Sequence, residues 1–343
     1  MLRRFRTKLD RLMLLVIAAF VLTWLLALAG CNSQSSQQAA GSQATPASSS
    51  ISKLSVINVG YQSGTPGLLL LKSRGLLEKQ LAPQGIKVKW FSFKGGPPMM
   101  EAMAGNSIDI GNVGNLPPIF AQAGGNPIVY VAATASNAGA QAVIVPNDSP
   151  IQTLADIKGK RLAIQQGTAL QYLALKALAS AKLTLNDIRP AYLTIPDSTA
   201  AFESGSVDVL PISDPYLASR ELNGSVRVLV RGSDVAPQRA YYIATQNFAQ
   251  NHPDLIKVIL NAQRSAEDWA KAHPNDVAQL LADQTKYKPE AWELALKQRP
   301  YFGVFEMKDE YVAEQQQVVD LFYSQKLIPK SVQVKDAIWK PNS

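Results

Sequence analysis

Two distant stretches decide the fold: "AGNSIDIGNVGNLPP" (104–118) and "ESGSVDVLPISDPY" (203–216). Each passes from a small polar turn through an Ile/Val-Asp-Ile/Val core to a polar elbow that meets proline. Asp109 stands six residues before Asn115, and Asp208 stands six before Asp214. One unit of helix, tight turn, strand, elbow and helix, used twice, predicts two related α/β lobes with a site between them.

Outward from this pair, short apolar runs alternate with helical patterns, which predicts parallel α/β sheets. "LSVINVGY" (54–61), "IKVKWFSF" (86–93), "IDIGNVG" (108–114) and "IVYVAATA" (128–135) read as strands. Helices are expected over 66–75, 97–104 and 117–123. The rhythm resumes with strands "QAVIVP" (141–146) and "RLAIQ" (161–165), a helix over 169–181, then "PAYLTI" (190–195), "VDVLPI" (207–212) and "VRVLVRG" (226–232). After the strand "YYIATQ" (241–246), helices dominate. Leu255, Val258, Ile259, Ala262, Ala266 and Trp269 share one helical face and read as a core seam.

The chain has 343 residues, 47% of them apolar, and a formal charge of +8, enough length for two lobes. Much of the charge lies in Arg3, Arg4, Arg6, Lys8 and Arg11, ahead of the apolar run 12–30. The rest is too dilute for a nucleic-acid footprint. The tetrad Leu28-Ala29-Gly30-Cys31 resembles a bacterial lipobox, so 1–31 reads as a lipoprotein signal peptide with lipid at Cys31; an uncleaved transmembrane anchor is the alternative. Residues 32–50, polar and uncharged, read as a tether. With one cysteine no intrachain disulfide forms.

Four elbows, at 62–67, 111–115, 166–168 and 213–214, precede helices whose first amides lack intrahelical partners. Glycines at 64, 67, 111, 114 and 167 let a ligand approach the backbone, and an anion is the natural occupant. The absence of P-loop and GxGxxG spacings disfavours nucleotides. Candidate ligand residues are Gln62, Gly64, Thr65, Asn115, Thr168, Asp214 and Arg239. Thr168 and Asp214 also read as helix caps, and Asn115 as a turn residue. Arg239, in "APQRAYYIA" (236–244), falls where the chain returns from the second lobe to the first. Its guanidinium can hold an oxyanion with two hydrogen bonds. His252 and His273 each precede proline without metal-ligand spacing, and neither HExxH nor GxSxG occurs. No cofactor is expected. Asp109 and Asp208, in equivalent turns, read as structural.

The sequence resembles the solute-binding proteins of bacterial ABC importers, in the aliphatic sulfonate, taurine and nitrate group. The resemblance rests on "GGPPMMEAMAGNSIDIGNVGNLPPIFAQAGGNPIVYVA" (95–132), "VPNDSPIQTLADIKGKRLAIQQGTALQYLALKAL" (145–178), "DPYLA" (214–218), "RAYYIATQNFAQNHPDLIKVIL" (239–260) and "AEQQQVVDLFYSQKLIPKSVQVKDAIW" (313–339). It implies a type II periplasmic binding protein: two α/β lobes, a two-crossover hinge, and ligand in the cleft between lobes. The expected division is 51–137 and 239–343 for lobe 1 and 138–238 for lobe 2. The resemblance further implies a monomer that hands its ligand to a permease and ATPase, with Arg239 and the elbow amides on a sulfonate head group. Asp214 then either accepts a hydrogen bond from a ligand amine or hydroxyl, or caps its helix. Two departures stand out: Ser213 replaces a frequent aromatic, and "SGTPGLL" (63–69) is longer than the usual first loop. Taurine, nitrate and a thiamine-precursor pyrimidine are the alternative ligands. An enzyme of the thiamine-pyrimidine synthase type is the alternative class, disfavoured because the body has no cysteine.

Overall fold

The computed structural model describes residues 54–63, 65–298 and 302–341. The expected signal peptide, Cys31, the tether and Gly64 lie outside the described residues. Among those residues, no helix is long and apolar enough to cross a membrane.

The first lobe opens with β1 (Val56–Gln62), α1 (Pro66–Arg74), α2 (Leu76–Leu81), β2 (Lys87–Phe93), α3 (Gly96–Ala104), β3 (Ile110–Val113), α4 (Leu116–Ala123) and β4 (Ile128–Ser136). The second contains β5 (Gln141–Pro146), β6 (Arg161–Ile164), α5 (Ala169–Ser180), β7 (Arg189–Tyr192), α6 (Ile195–Glu203), β8 (Leu210–Ser213), α7 (Tyr216–Leu222), β9 (Val226–Arg231) and the short α8 (Gly232–Val235). The chain then returns through β10 (Arg239–Thr245), α9 (Gln246–Asn251), α10 (Pro253–Ala272), α11 (Pro274–Gln284), α12 (Pro289–Lys297), β11 (Val304–Phe305) and α13 (Asp309–Ser324).

The first sheet has the strand order β11-β4-β10-β3-β1-β2. Strand β1 pairs in parallel with β2 and β3, but β10 runs antiparallel to both β3 and β4. In the second lobe β5 lies antiparallel between β8 and β9, and β6 and β7 pair in parallel. The bridge Leu162–Val209 links β6 to the start of β8. The parallel sheets expected from the alternation are therefore mixed. The reason is topological: β10 arrives from the second lobe at the end where β1 and β3 finish, so it must run against them.

The paired motif is also paired in three dimensions. Asp109 Oδ2 accepts the Asn58 amide at 2.7 Å, and the Asp109 amide donates to Asn58 O at 2.9 Å. Asp208 Oδ2 accepts the Arg161 amide at 2.8 Å, and the Asp208 amide donates to Arg161 O at 2.9 Å. Both carboxylates tie the entry of one strand to its parallel neighbour, the structural role expected of them. Leucines 68–71 are all buried between the sheet and α10; full burial of one such side chain stabilises the fold by about 2 kcal/mol.

Helix α10 buries four of the six expected seam residues, Leu255, Ile259, Ala262 and Ala266. Its buried stripe includes Ile256, Leu260, Gln263, Glu267 and Ala270, while Val258 and Trp269 are only half-buried beside it. Trp269 instead carries the Arg74 guanidinium 3.8 Å from its ring centre.

Candidate functional site

The carboxyl ends of β1 and β3 and the start of β10 meet the second lobe at a cavity of about 120 Å³. An apolar cavity only slightly larger accommodates the six carbons of benzene, so this space suits a ligand of about that size. Both lobes build its wall. The elbows approach closely there: a Cβ on Gly114 would lie 3.1 Å from Ala169 Cβ.

Of the expected ligand residues, Gln62, Thr65, Thr168 and Asp214 line this cavity. Thr168 stands at the N-cap of α5 but does not cap it, because its hydroxyl donates to Gln165 O at 2.7 Å. The first-turn amides of Ala169 and Leu170 are thus left toward the cavity without a capping acceptor. The preceding Gly167, at φ 70°, turns the chain in the left-handed region and donates its amide to Gln171 Oε1 at 2.8 Å. Thr65 behaves alike at α1, pointing its hydroxyl back to Gln62 O at 3.4 Å rather than capping. Asp214 does serve its helix: Oδ1 accepts the Ala218 amide at 2.8 Å.

Two expected residues lie elsewhere. Asn115 is buried behind its elbow and does not line the cavity; its side-chain atoms have no hydrogen-bond partner, and its carbonyl accepts from Gln315. Arg239 is turned away, which corrects its expected place on the ligand. Alternate side chains of a strand face opposite sides of the sheet. Ala240 and Tyr242 face the cavity, whereas Arg239 and Tyr241 meet α13. There Arg239 Nε lies 3.1 Å from both carboxylate oxygens of Glu314, Nη2 lies 2.8 Å from Oε2, and Nη1 donates to Thr134 O at 3.2 Å. The Tyr311 ring centre lies 3.9 Å from the guanidinium carbon. The cation is satisfied within the fold.

Sequence reasoning missed the deepest polar residues of the cavity. Glu267, 2% exposed, lines it from α10. Its Oε1 accepts from Gln263 Nε2 at 2.9 Å and from the Tyr242 hydroxyl at 3.3 Å, and its Oε2 accepts the Gly303 amide at 2.7 Å. Burial pushes the Glu267 carboxyl above the ordinary glutamate range, against these hydrogen bonds. Burial, with the Glu267 charge beside it, also pushes the Tyr242 phenol up. A signal existed: Gln263 and Glu267 fall in the seam of α10 at the spacing of Ile256, Leu260 and Ala270. Gln141, 5% exposed, also lines the cavity, and its Oε1 accepts from Gln238. Among the described residues, no lysine, arginine or histidine lines the cavity, and no group of His, Cys, Asp and Glu could hold a metal.

Residues 81–277 match the family described as NMT1/THI5 like. A protein of Escherichia coli (strain K12) named for aliphatic sulfonates binding is 38% identical over 285 residues, 83% of this chain and 89% of its own. The chain belongs to this family. Among solved structures, the periplasmic aliphatic sulphonate binding protein SsuA from Escherichia coli superposes with a TM-score of 0.77 at 37% identity, covering 84% of this chain and 93% of that one. The alkanesulfonate-binding protein SsuA from Xanthomonas axonopodis pv. citri, bound to MOPS, does so with a TM-score of 0.80 at 33% identity, covering 83% and 98%. The fold is that of these periplasmic binding proteins, with two mixed α/β lobes and the chain crossing between them twice.

Proposed function

We propose that this family member is an extracytoplasmic solute-binding protein that captures a small aliphatic sulfonate between its lobes and delivers it to an ABC permease and its ATPase. The observation that carries the reading is the cavity itself. It is sized for a short ligand and edged by first-turn amides of α5 that no side chain caps, the setting that favours a tetrahedral oxyanion. The likeness to SsuA at 37% and 33% identity supports the same ligand class. Gln62, Thr65, Thr168 and Asp214 surround the ligand with the Ala169 and Leu170 amides. Its role is binding rather than catalysis, it acts as a monomer, and lipid at Cys31 holds it to the membrane.

A thermal-shift series with short alkanesulfonates, taurine, nitrate, bicarbonate and pyrimidines tests the ligand class. Stabilisation by sulfonates is expected; stabilisation by nitrate alone would overturn it. The anchor has its own test. Cys31→Ser should move the protein from the membrane fraction to the soluble one, and an unchanged distribution would remove the lipid.

A further inference from the structure

Glu267 shares the cavity with the donors that face an anion. It is 2% exposed and lines the space from α10, while Ala169 and Leu170 line it from the first turn of α5. In about 120 Å³ a sulfonate and an ionised carboxylate stand close together, and buried charges are little screened. An entering anion is therefore opposed by Glu267 whenever that group is charged, and favours its neutral form.

The surroundings of Glu267 suit a neutral carboxyl. Gln263, fully buried, donates through Nε2 to Glu267 Oε1 at 2.9 Å and to Gly67 O at 3.2 Å. Its own Oε1 is buried with no hydrogen-bond partner among the described residues. The amide that meets the acid thus holds a spare acceptor, which only the protonated carboxyl, with its O–H, can use. Tyr242 donates its hydroxyl from β10 at 3.3 Å, and Gly303 donates its amide at 2.7 Å. On α10 itself, the charge of Lys271 favours the carboxylate, but Lys271 also pairs with Asp268 at 3.1 Å. Arg264 is directed to Val304 O and Asn261. The cations of α1, which packs on α10, lie over other rings, Lys72 over Tyr61 and Arg74 over Trp269. Asp214, on the lobe 2 wall of the cavity, is a second acid and accepts the Ala218 amide at 2.8 Å. Burial accordingly holds the Glu267 carboxyl above the ordinary glutamate range.

Resting on the sulfonate reading above, we infer that capture of the ligand is linked to a proton: Glu267 takes one from solvent as the sulfonate enters and returns it when the ligand leaves. The proton removes a like charge from the cavity wall and leaves the ligand's own charge to the α5 amides. Acidic surroundings then favour loading and alkaline surroundings favour release, because the bound form holds more protons than the free one.

Calorimetric titration of the intact protein with propane-1-sulfonate from pH 8 to pH 5 tests this, since a sulfonate keeps its charge throughout. Affinity should rise at least about fivefold toward the acid end, within the limit of tenfold per pH unit for one proton. Glu267→Gln carries the donor and acceptor of a neutral carboxyl, so its affinity should vary by less than about twofold over the same range. Tyr242→Phe removes a donor that favours the charged carboxylate and should move the midpoint of the affinity curve to higher pH. That variant serves should Glu267→Gln fail to fold. A flat wild-type profile, a slope that survives in folded Glu267→Gln, or a midpoint not raised by Tyr242→Phe overturns the proton linkage and leaves the sulfonate reading standing. No binding of propane-1-sulfonate at any pH, with nitrate bound, overturns both.

Discussion

The two faces of β10 (Arg239–Thr245) handle charge in opposite ways. On one face Arg239 is neutralised by Glu314, stacked by Tyr311 and sealed under α13. On the other, Tyr242 leads to Glu267, which accepts three hydrogen bonds but, among the described residues, forms no salt bridge. Each face pairs a tyrosine with a glutamate-bearing helix, yet only one opens on the cavity. A salt bridge sealed under a helix serves the fold, whereas a hydrogen-bonded carboxylate forms part of the cavity wall.

Arg239→Ala should produce the largest change in stability. Removing one partner of a largely buried pair leaves Glu314 uncompensated, a cost of about 3 kcal/mol in chemical denaturation. Sulfonate affinity should change by less than about threefold, because the guanidinium does not reach the cavity. A hundredfold loss of binding at unchanged stability would reverse the assignment of the two faces.

Glu267→Gln should separate the faces by pH. Burial raises the carboxyl from its ordinary 4.5, so the folded state holds a proton that the unfolded state has released. The stability this group contributes is full below 4.5 and lost as pH rises through the raised value. The difference in unfolding free energy, wild type minus Glu267→Gln, should therefore fall across that window. Gln263, Tyr242, the Gly303 amide and Lys271 are the groups that face this carboxyl, and the variant retains them all. A flat difference would mean that Glu267 carries no burial penalty.

The tyrosines give the smallest contrast. Tyr242→Phe removes a buried donor to a carboxylate and should cost about 1 kcal/mol. Tyr241→Phe removes a 3.4 Å contact to Tyr311 O and should cost less, because hydrogen bonds weaken at that length. Equal costs by denaturation would show that the two faces are energetically alike.

Much of this was legible in the sequence, because strand entry and elbow are local chemistry. The runs at 141–146 and 161–164 and the paired aspartates fall where the alternation puts them. The stretch 190–195 does not: β7 stops at Tyr192 and α6 starts at Ile195. Thr194, which accepts the Asp197 amide, followed by proline inside the first turn, is the cap that the apolar pattern concealed. Strand direction was not legible, since parallel and antiparallel neighbours bury the same residue types. Nor was the facing of Arg239, because one residue of register exchanges the two sides of a strand. Glu267 was readable as a polar residue in an apolar seam, but the cavity beside it exists only after β10 and the second lobe come together.

The most direct measurement is the crystal structure of the complex with propane-1-sulfonate. The sulfonate oxygens should lie about 3 Å from the Ala169 and Leu170 amides, with Arg239 still paired to Glu314. A sulfonate held by Arg239, released from Glu314, would contradict the division of labour between the faces of β10.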